Sequence, residues 1–136
     1  MKLTEIIKGS KPSLSFEVFP PKTSDNFENV MKAATEIAKL RPSFMSVTYG
    51  AGGGTSEYTA DIAEAIDGLG VTPIAHLSCI SSTKEQIQTL LQKLKDRKIE
   101  NILALRGDIP KEGLPEKMEY HYASELAAEI RDFGGF

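Results

Sequence analysis

Short apolar segments recur along this 136-residue chain at a nearly constant interval, and this interval limits the folds open to it. The segments begin at residues 14, 44, 73 and 101, about 29 residues apart. Between them, apolar residues recur every three or four positions, which is typical of helices with one buried face. A helix between consecutive strands makes those strands parallel, because the chain must return to the same end of the sheet. The predicted strands are residues 14–19, 44–48, 73–77 and 101–105.

Capping signals predict where the helices begin and end. Asp25 and Glu28 have the spacing of a capping box at the start of the first long helix, and Ser82 and Glu85 have it at the start of the third. A further short helix, around residues 3–7, precedes the first strand. The predicted helix ends are glycines, which favour the backbone conformation that stops a helix: Gly68 and Gly70 for the second long helix, and Gly134 for the fourth.

Two architectures accept parallel strands that alternate with helices: an open doubly wound sheet and a (β/α)₈ barrel. In each predicted strand, one set of alternating residues is apolar and the other is smaller or more polar. An open sheet that is covered on both sides should be apolar on both faces, so the pattern favours the barrel. No Gly-x-Gly-x-x-Gly sequence opens the first helix, which weakens the dinucleotide-binding alternative. The inward positions near the strand ends are then predicted to be Glu17, Thr48, His76 and Arg106.

Chain length sets how much of a barrel is present. A barrel of the TIM class has eight strands and roughly 250 residues, whereas this sequence holds four strand–helix units and a leading helix. We therefore predict an α/β fold with one domain, residues 1–136, that forms half of a TIM barrel. A half-barrel exposes its inner face and two strand edges. We expect it to form a homo-oligomer or to associate with a complementary half-barrel.

Composition excludes several classes of protein. The chain is 40% hydrophobic and 26% charged, which is ordinary for a globular domain and unlike a disordered segment. Its net charge is −3 and its basic residues are scattered, so we expect no nucleic-acid binding. It has neither an apolar run long enough for a bilayer nor a secretory signal. A single cysteine, Cys79, rules out an intrachain disulfide and favours a cytoplasmic protein.

Chemistry in a parallel barrel takes place at the carboxyl ends of the strands. Glu17 lies at such an end beside apolar residues, where burial would keep a carboxyl group protonated near neutral pH and able to act as a general acid. A structural carboxylate paired with Lys or Arg is an equal alternative. The glycine-rich stretch 48–55 follows the second strand, and its backbone could approach a phosphate or a ring, or could simply be a flexible loop.

Residues at the other strand ends also leave alternatives open. A lone histidine at a strand end, such as His76, is more often hydrogen-bonded within the structure than bound to a metal. No second His or Cys has metal-site spacing, so we predict no metal. Cys79 is expected to be a small buried residue. Arg106 could bind a phosphate or carboxylate, and Asp108 could stabilise a positive charge, or the two could form a surface ion pair. Tyr122 could meet a ligand or only pack.

Four stretches, taken together, carry a family resemblance: residues 16–23 (FEVFPPKT), 46–51 (SVTYGA), 76–79 (HLSC) and 103–108 (LALRGD). In this order and spacing the chain resembles the N-terminal half of bacterial methylenetetrahydrofolate reductases. The resemblance implies a (β/α)₈ barrel that holds FAD without a covalent bond. It also implies an oxidoreductase of one-carbon metabolism and methionine synthesis, in which NADH or NADPH reduces the flavin and 5,10-methylenetetrahydrofolate is reduced to 5-methyltetrahydrofolate.

The resemblance further implies roles for single residues. Glu17 would be the general acid that protonates N10 of the folate, and Asp108 would tune the flavin and stabilise the cationic iminium. The implied FAD contacts are Thr48, Tyr49, Ala51, His76, Arg106, Gly107, Asp108, Tyr122 and Ala123. A non-catalytic half-barrel that assembles with a partner half is the competing interpretation. An aldolase or isomerase is less favoured, because no candidate Schiff-base lysine stands at a strand end.

Overall fold

The computed structural model describes residues 1–9, 11–49, 56–111 and 113–136. Within them the strands form one parallel sheet in the order β1-β2-β3-β4, with each strand paired to the next along the chain. The strands are β1 (Ser15–Val18), β2 (Phe44–Val47), β3 (Thr72–Ser78) and β4 (Ile102–Leu105). The predicted alternation of parallel strands and helices is confirmed.

Helices connect the strands as the apolar spacing predicts. Three residues of 3-10 helix, Ser24–Asn26, lead into the helix that follows β1. Gly134, with a φ of +77°, ends the last helix as predicted. The α-helices are α1 (Leu3–Ile7), α2 (Phe27–Ala38), α3 (Ser56–Gly68), α4 (Lys84–Asp96) and α5 (Ala123–Phe133).

The two predicted capping boxes are wrong. The first fails because Asp25 lies inside the 3-10 turn, so that Asn26 becomes the N-cap of α2 and makes no side-chain capping bond. In α4 the box moves one residue along the chain. Thr83 Oγ1 accepts a hydrogen bond from the backbone N–H of Gln86 at 3.2 Å, and Gln86 Oε1 accepts one from the backbone N–H of Thr83 at 2.9 Å. The strand before it, β3, also ends one residue later than predicted, at Ser78, so the cap moves with the strand end and the turn keeps its length.

The helices α2 to α5 cover one face of the sheet, and two clusters of buried apolar side chains lie between them and the strands. The opposite face carries Glu17, Ser46, His76, Leu103 and Leu105, and we call it the open face. Register puts Glu17 beside Ser46, and His76 beside Leu103, in adjacent strands. The half-barrel arrangement predicted for these four strands is therefore consistent with the sheet.

The predicted inward orientation of Arg106 is wrong. In β4, Ile102 and Ala104 pack against the helix-side clusters, whereas Leu103 and Leu105 lie on the open face with 44% and 36% of their surfaces exposed. Strand alternation then places Arg106 in line with Ile102 and Ala104. The sequence misleads here because the bulky apolar residues Leu103 and Leu105 lie on the open face, whereas the smaller Ala104 packs on the helix side.

Buried Asn101 fixes the leading helix at the amino ends of the strands. Its side-chain oxygen accepts a hydrogen bond from the Leu3 amide at 2.7 Å, and its nitrogen donates to the carbonyls of Met1 and Pro73 at 3.0 and 3.4 Å. The Met1 ammonium also pairs with Glu100 at 2.9 Å. The start of the chain is thereby held at the end of the sheet opposite the predicted site. Among the described residues, no helix has the length and apolar character needed to cross a bilayer.

Candidate functional site

Three neighbouring strands bring Glu17, Ser46 and His76 together near the carboxyl end of the sheet. Ser46 Oγ donates a hydrogen bond to Glu17 Oε2 at 3.1 Å, and His76 Nε2 lies 3.6 Å from the same oxygen. The expected burial of Glu17 is not found, since 46% of its side chain is exposed. The reason is that Glu17 stands on the outermost strand β1 and on the face that the helices leave uncovered. The carboxylate is accessible and held by two polar neighbours.

His76 is the buried member of this group, with 9% of its side chain exposed. Burial lowers the pKa of His76 below its usual value, and the Glu17 carboxylate partly opposes that shift. The shift favours the neutral imidazole, which lies beside the carboxylate as a polar neighbour. As the sequence predicted, it lies at a strand end on the open face. In the described part of the chain, no cluster of three or more metal-ligating side chains occurs.

The segment after β2 is held at the same end of the sheet. The Thr48 amide donates to the Val18 carbonyl at 2.9 Å, and the Thr48 carbonyl accepts from Thr59 Oγ1 at 2.9 Å. Tyr49 packs against the cluster on the helix side, where burial raises its pKa and a hydrogen bond with Ser82 opposes the rise. A ligand on the open face would thus meet the Tyr49 backbone before its ring. Ala51, with the rest of the stretch 50–55, lies outside the described residues.

The end of β4 presents Arg106 and Asp108, both exposed. The Arg106 carbonyl accepts from the amides of Cys79 and Ile80 at 3.2 and 2.8 Å, which continues the pairing of β3 and β4 past the last strand residue. The Arg106 side chain donates from Nε to the Gly107 carbonyl at 3.3 Å. The two charged side chains therefore stand on a backbone that is fixed by β3.

Gly107 has a φ of +85°, and a Cβ at this position would lie 3.0 Å from Ser78 Cβ and 3.4 Å from Ile80 Cγ2. We expect Gly107→Ala to lower the free energy of unfolding by about 1–3 kcal/mol, because it adds a steric clash to a strained backbone. Urea denaturation measures the loss. Gly113→Ala is the matched control, since Gly113 has a φ of +96° but no atom within 4 Å of the added Cβ. Equal losses in the two variants would mean that the contact with Ser78 has no effect.

Tyr122 and Ala123 are placed by the start of α5. Glu125 Oε2 accepts from the amides of His121 and Tyr122 at 2.5 and 2.8 Å, and these bonds lower the pKa of Glu125. Tyr122 as a whole is 65% exposed. Its backbone carbonyl accepts a hydrogen bond from Cys79 Sγ at 3.8 Å, and burial raises the pKa of the Cys79 thiol. The prediction that Cys79 is a small buried residue is confirmed.

Tyr120 is a residue that the sequence did not single out. It is only 1% exposed, and its hydroxyl donates to Glu129 Oε2. Gln88 Nε2 donates to the other oxygen of Glu129 at 2.6 Å, so the three side chains join α4, α5 and the segment that follows β4. Burial raises the pKa of Tyr120 well above its usual value, and the Glu129 carboxylate adds to the rise. The segment between β4 and α5, which carries Arg106 and Asp108 at its start, is therefore anchored near its end by Tyr120.

Comparison with known proteins identifies the family. Residues 2–136 match the sequence profile described as "Methylenetetrahydrofolate reductase". The chain belongs to the methylenetetrahydrofolate reductase family. It is 38% identical over 125 residues to the "5,10-methylenetetrahydrofolate reductase" of Pectobacterium carotovorum and 36% identical over 126 residues to that of Escherichia coli K12, with 91% of this chain covered in each. An Arabidopsis thaliana relative, "Methylenetetrahydrofolate reductase (NADH) 1", is 36% identical over 110 residues and covers 80% of this chain.

The chain spans 41% of the length of these two bacterial reductases and 19% of the plant relative. The family match agrees with the predicted barrel class. Within this reductase-family chain, the structure brings Glu17 and His76 into contact, and it puts Arg106 and Asp108 just past the adjacent strand end. The roles of the predicted site residues stay predictions.

Proposed function

We propose that this chain provides the first part of a flavin-dependent reductase that converts 5,10-methylenetetrahydrofolate to 5-methyltetrahydrofolate with NADH or NADPH. The observation that carries the proposal is the accessible Glu17 carboxylate, which Ser46 and His76 hold at the carboxyl end of a parallel sheet. An acidic side chain in this position suits proton donation to a bound substrate. The names of the bacterial relatives support reduction of 5,10-methylenetetrahydrofolate, while the flavin, the nicotinamide and a cytoplasmic location are predictions.

The polar groups at this end of the sheet fit an FAD cofactor. A flavin dinucleotide needs cationic or N–H donors for its pyrophosphate and hydrogen-bonding partners for its ring. Arg106 is exposed, and its hydrogen bond to the Gly107 carbonyl comes from Nε, so its terminal nitrogens suit a phosphate. Asp108 can accept from a ring N–H. We propose as FAD contacts Thr48, Tyr49, Ala51, His76, Arg106, Gly107, Asp108, Tyr122 and Ala123.

The bound flavin would carry hydride from the nicotinamide to the folate. In this proposal the protein supplies the proton and keeps the reacting groups in position. Glu17 donates a proton to N10 of the folate, and Asp108 stabilises the positive charge that then develops on the substrate. Leu103 and Leu105 give the open face an apolar area beside the reacting groups.

The alternative function is that of a non-catalytic half-barrel which assembles with a second copy or with a complementary half. It is supported by the exposed Leu103 and Leu105, and by β1 and β4, each of which pairs with one strand in the described part of the chain. Exposed apolar side chains and unpaired strand edges are common features of association surfaces. The mass in solution, measured with and without FAD, separates a monomer from an assembly.

Titration with FAD tests the proposed function. We expect saturable changes in the flavin absorbance spectrum when the purified chain is added, and reduction of the bound flavin by NADH or NADPH. Arg106→Ala should weaken FAD binding about tenfold, because a charge-assisted contact with the pyrophosphate is lost. Arg131→Ala is the matched control, since Arg131 is 77% exposed on α5. An unchanged flavin spectrum would contradict a flavin site in this chain and favour the assembly function.

A further inference from the structure

In the described part of the chain Glu17 makes two polar contacts, and both reach the same carboxylate oxygen. Ser46 Oγ lies 3.1 Å from Oε2 and His76 Nε2 lies 3.6 Å from Oε2. Ser46 stands beside Glu17 in the register of β1 and β2, and His76 comes from β3, so rigid strands supply all three groups. This asymmetry distinguishes Oε2 from Oε1.

The surroundings of His76 make Glu17 its dominant charged neighbour. On the open face, Leu103 is the paired residue of β4, and Leu105 lies two residues further along. Tyr49 and Lys93 line a small cavity with His76 on the helix side of β3. Arg106 and Asp108 follow beyond the end of β4. Among the described charged groups, Glu17 is the one whose field acts on the imidazole, and that field favours its protonated form.

We propose that Ser46 and His76 are positioning residues for Glu17, which hold Oε2 so that Oε1 carries the acidic proton toward the substrate on the open face. This inference rests on the proposed reductase function. In the step, the O–H bond at Oε1 breaks, an N–H bond forms at N10 of the folate, and the electron pair of the broken bond stays on the carboxylate. Ser46 and the imidazole N–H then stabilise the negative charge that is left. Solvent on the open face returns the proton.

The titration of His76 tests its contact with Glu17 and needs no enzymatic activity. The chain has two histidines, His76 and His121, so ring NMR signals are assigned with one His121→Gln variant. We expect Glu17→Gln to lower the His76 midpoint by about half a pH unit or more, because it removes the charge that favours the imidazolium. An unchanged His76 midpoint would overturn the proposal.

Ser46 is tested by the same measurement. Ser46→Ala frees the carboxylate to move away from His76, so the His76 midpoint should fall part of the way toward that of Glu17→Gln. Ser15→Ala is the matched control, because Ser15 is an exposed serine two residues before Glu17 on β1. A Ser46→Ala midpoint equal to that of the wild type would show that Ser46 does not hold the carboxylate.

Kinetics then separate positioning from folding. With FAD bound, we expect Ser46→Ala to lower kcat of the folate half-reaction about tenfold with little change in KM, and Ser46→Thr to restore it. Reduction of the flavin by nicotinamide should not change. Equal folate rates in Ser46→Ala and the wild type would overturn the positioning role. If the wild-type chain does not reduce folate, it is not active alone; the His76 titration then decides the proposal, and an unchanged midpoint in Glu17→Gln overturns it.

Discussion

Glu17→Gln should abolish reduction of 5,10-methylenetetrahydrofolate while leaving reduction of the flavin by NADH or NADPH intact. Glutamine keeps the size of the side chain and can still accept the hydrogen bond from Ser46, but it has no acidic proton to donate. Loss of a general acid costs about 10²–10⁴-fold in rate. The two half-reactions are separated by stopped-flow absorbance of the flavin, first with nicotinamide and then, on the reduced protein, with folate.

The matched control is Glu28→Gln, which changes an exposed glutamate in the first turn of α2. It removes the same charge from a position outside the proposed site, so both half-reactions should proceed as in the wild type. Folate reduction that survives in Glu17→Gln would refute the general-acid assignment. A loss of flavin reduction in the same variant would instead indicate that Glu17 supports cofactor binding.

Tyr120 is expected to be the side chain whose removal costs the most stability. Tyr120→Ala should lower the free energy of unfolding by about 3–5 kcal/mol, because it deletes a buried aromatic ring and leaves a cavity. Tyr120→Phe should cost about 1 kcal/mol, since the ring stays and Glu129 keeps its bond from Gln88. Tyr122→Phe, with an exposed ring, is the control and should match the wild type in urea denaturation.

The raised pKa of Tyr120 also predicts how stability depends on pH. The folded chain holds the phenolic proton more tightly than the unfolded chain, so the contribution is complete below the unfolded pKa of about 10. It is lost as the pH rises from there toward the folded value. Tyr120→Phe should flatten this alkaline decline, although Tyr49, whose pKa burial also raises, leaves part of it. An identical decline in wild type and Tyr120→Phe would contradict the buried environment of the hydroxyl.

The sequence predicted the parts of the fold that depend on local pattern. The spacing of apolar residues placed all four strands and the helices between them, because one buried face per helix needs that spacing. The exact residue at which a helix begins was harder to predict. Ser82 and Thr83 both satisfy the capping pattern at the start of α4, and the end of β3 at Ser78, one residue later than predicted, selects Thr83. The orientation of Arg106 is not predictable from composition, because the bulky Leu103 and Leu105 lie on the open face and not against the helices.

The candidate site was predictable only in part. Glu17 and His76 could be assigned to strand ends, but their contact depends on the pairing of β1, β2 and β3, which joins residues about 30 and 59 positions apart in the sequence. The burial of Glu17 was wrongly expected, since exposure depends on which strand is outermost and on what covers the face. Tyr120 gave no signal beyond being one more aromatic residue. Its role follows from the meeting of two helices.

The anchoring of the leading helix by Asn101 has a practical consequence for single-molecule and surface experiments. A tether or fluorescent label attached before residue 1 leaves the protein at the amino ends of the strands, on the side away from Glu17 and Arg106. Such an attachment removes the exposed ion pair between Met1 and Glu100, which contributes little, and it keeps the bond from the Leu3 amide to Asn101. Immobilised in this way, the molecules all present the end of the sheet that carries Glu17 and Arg106 to the solution.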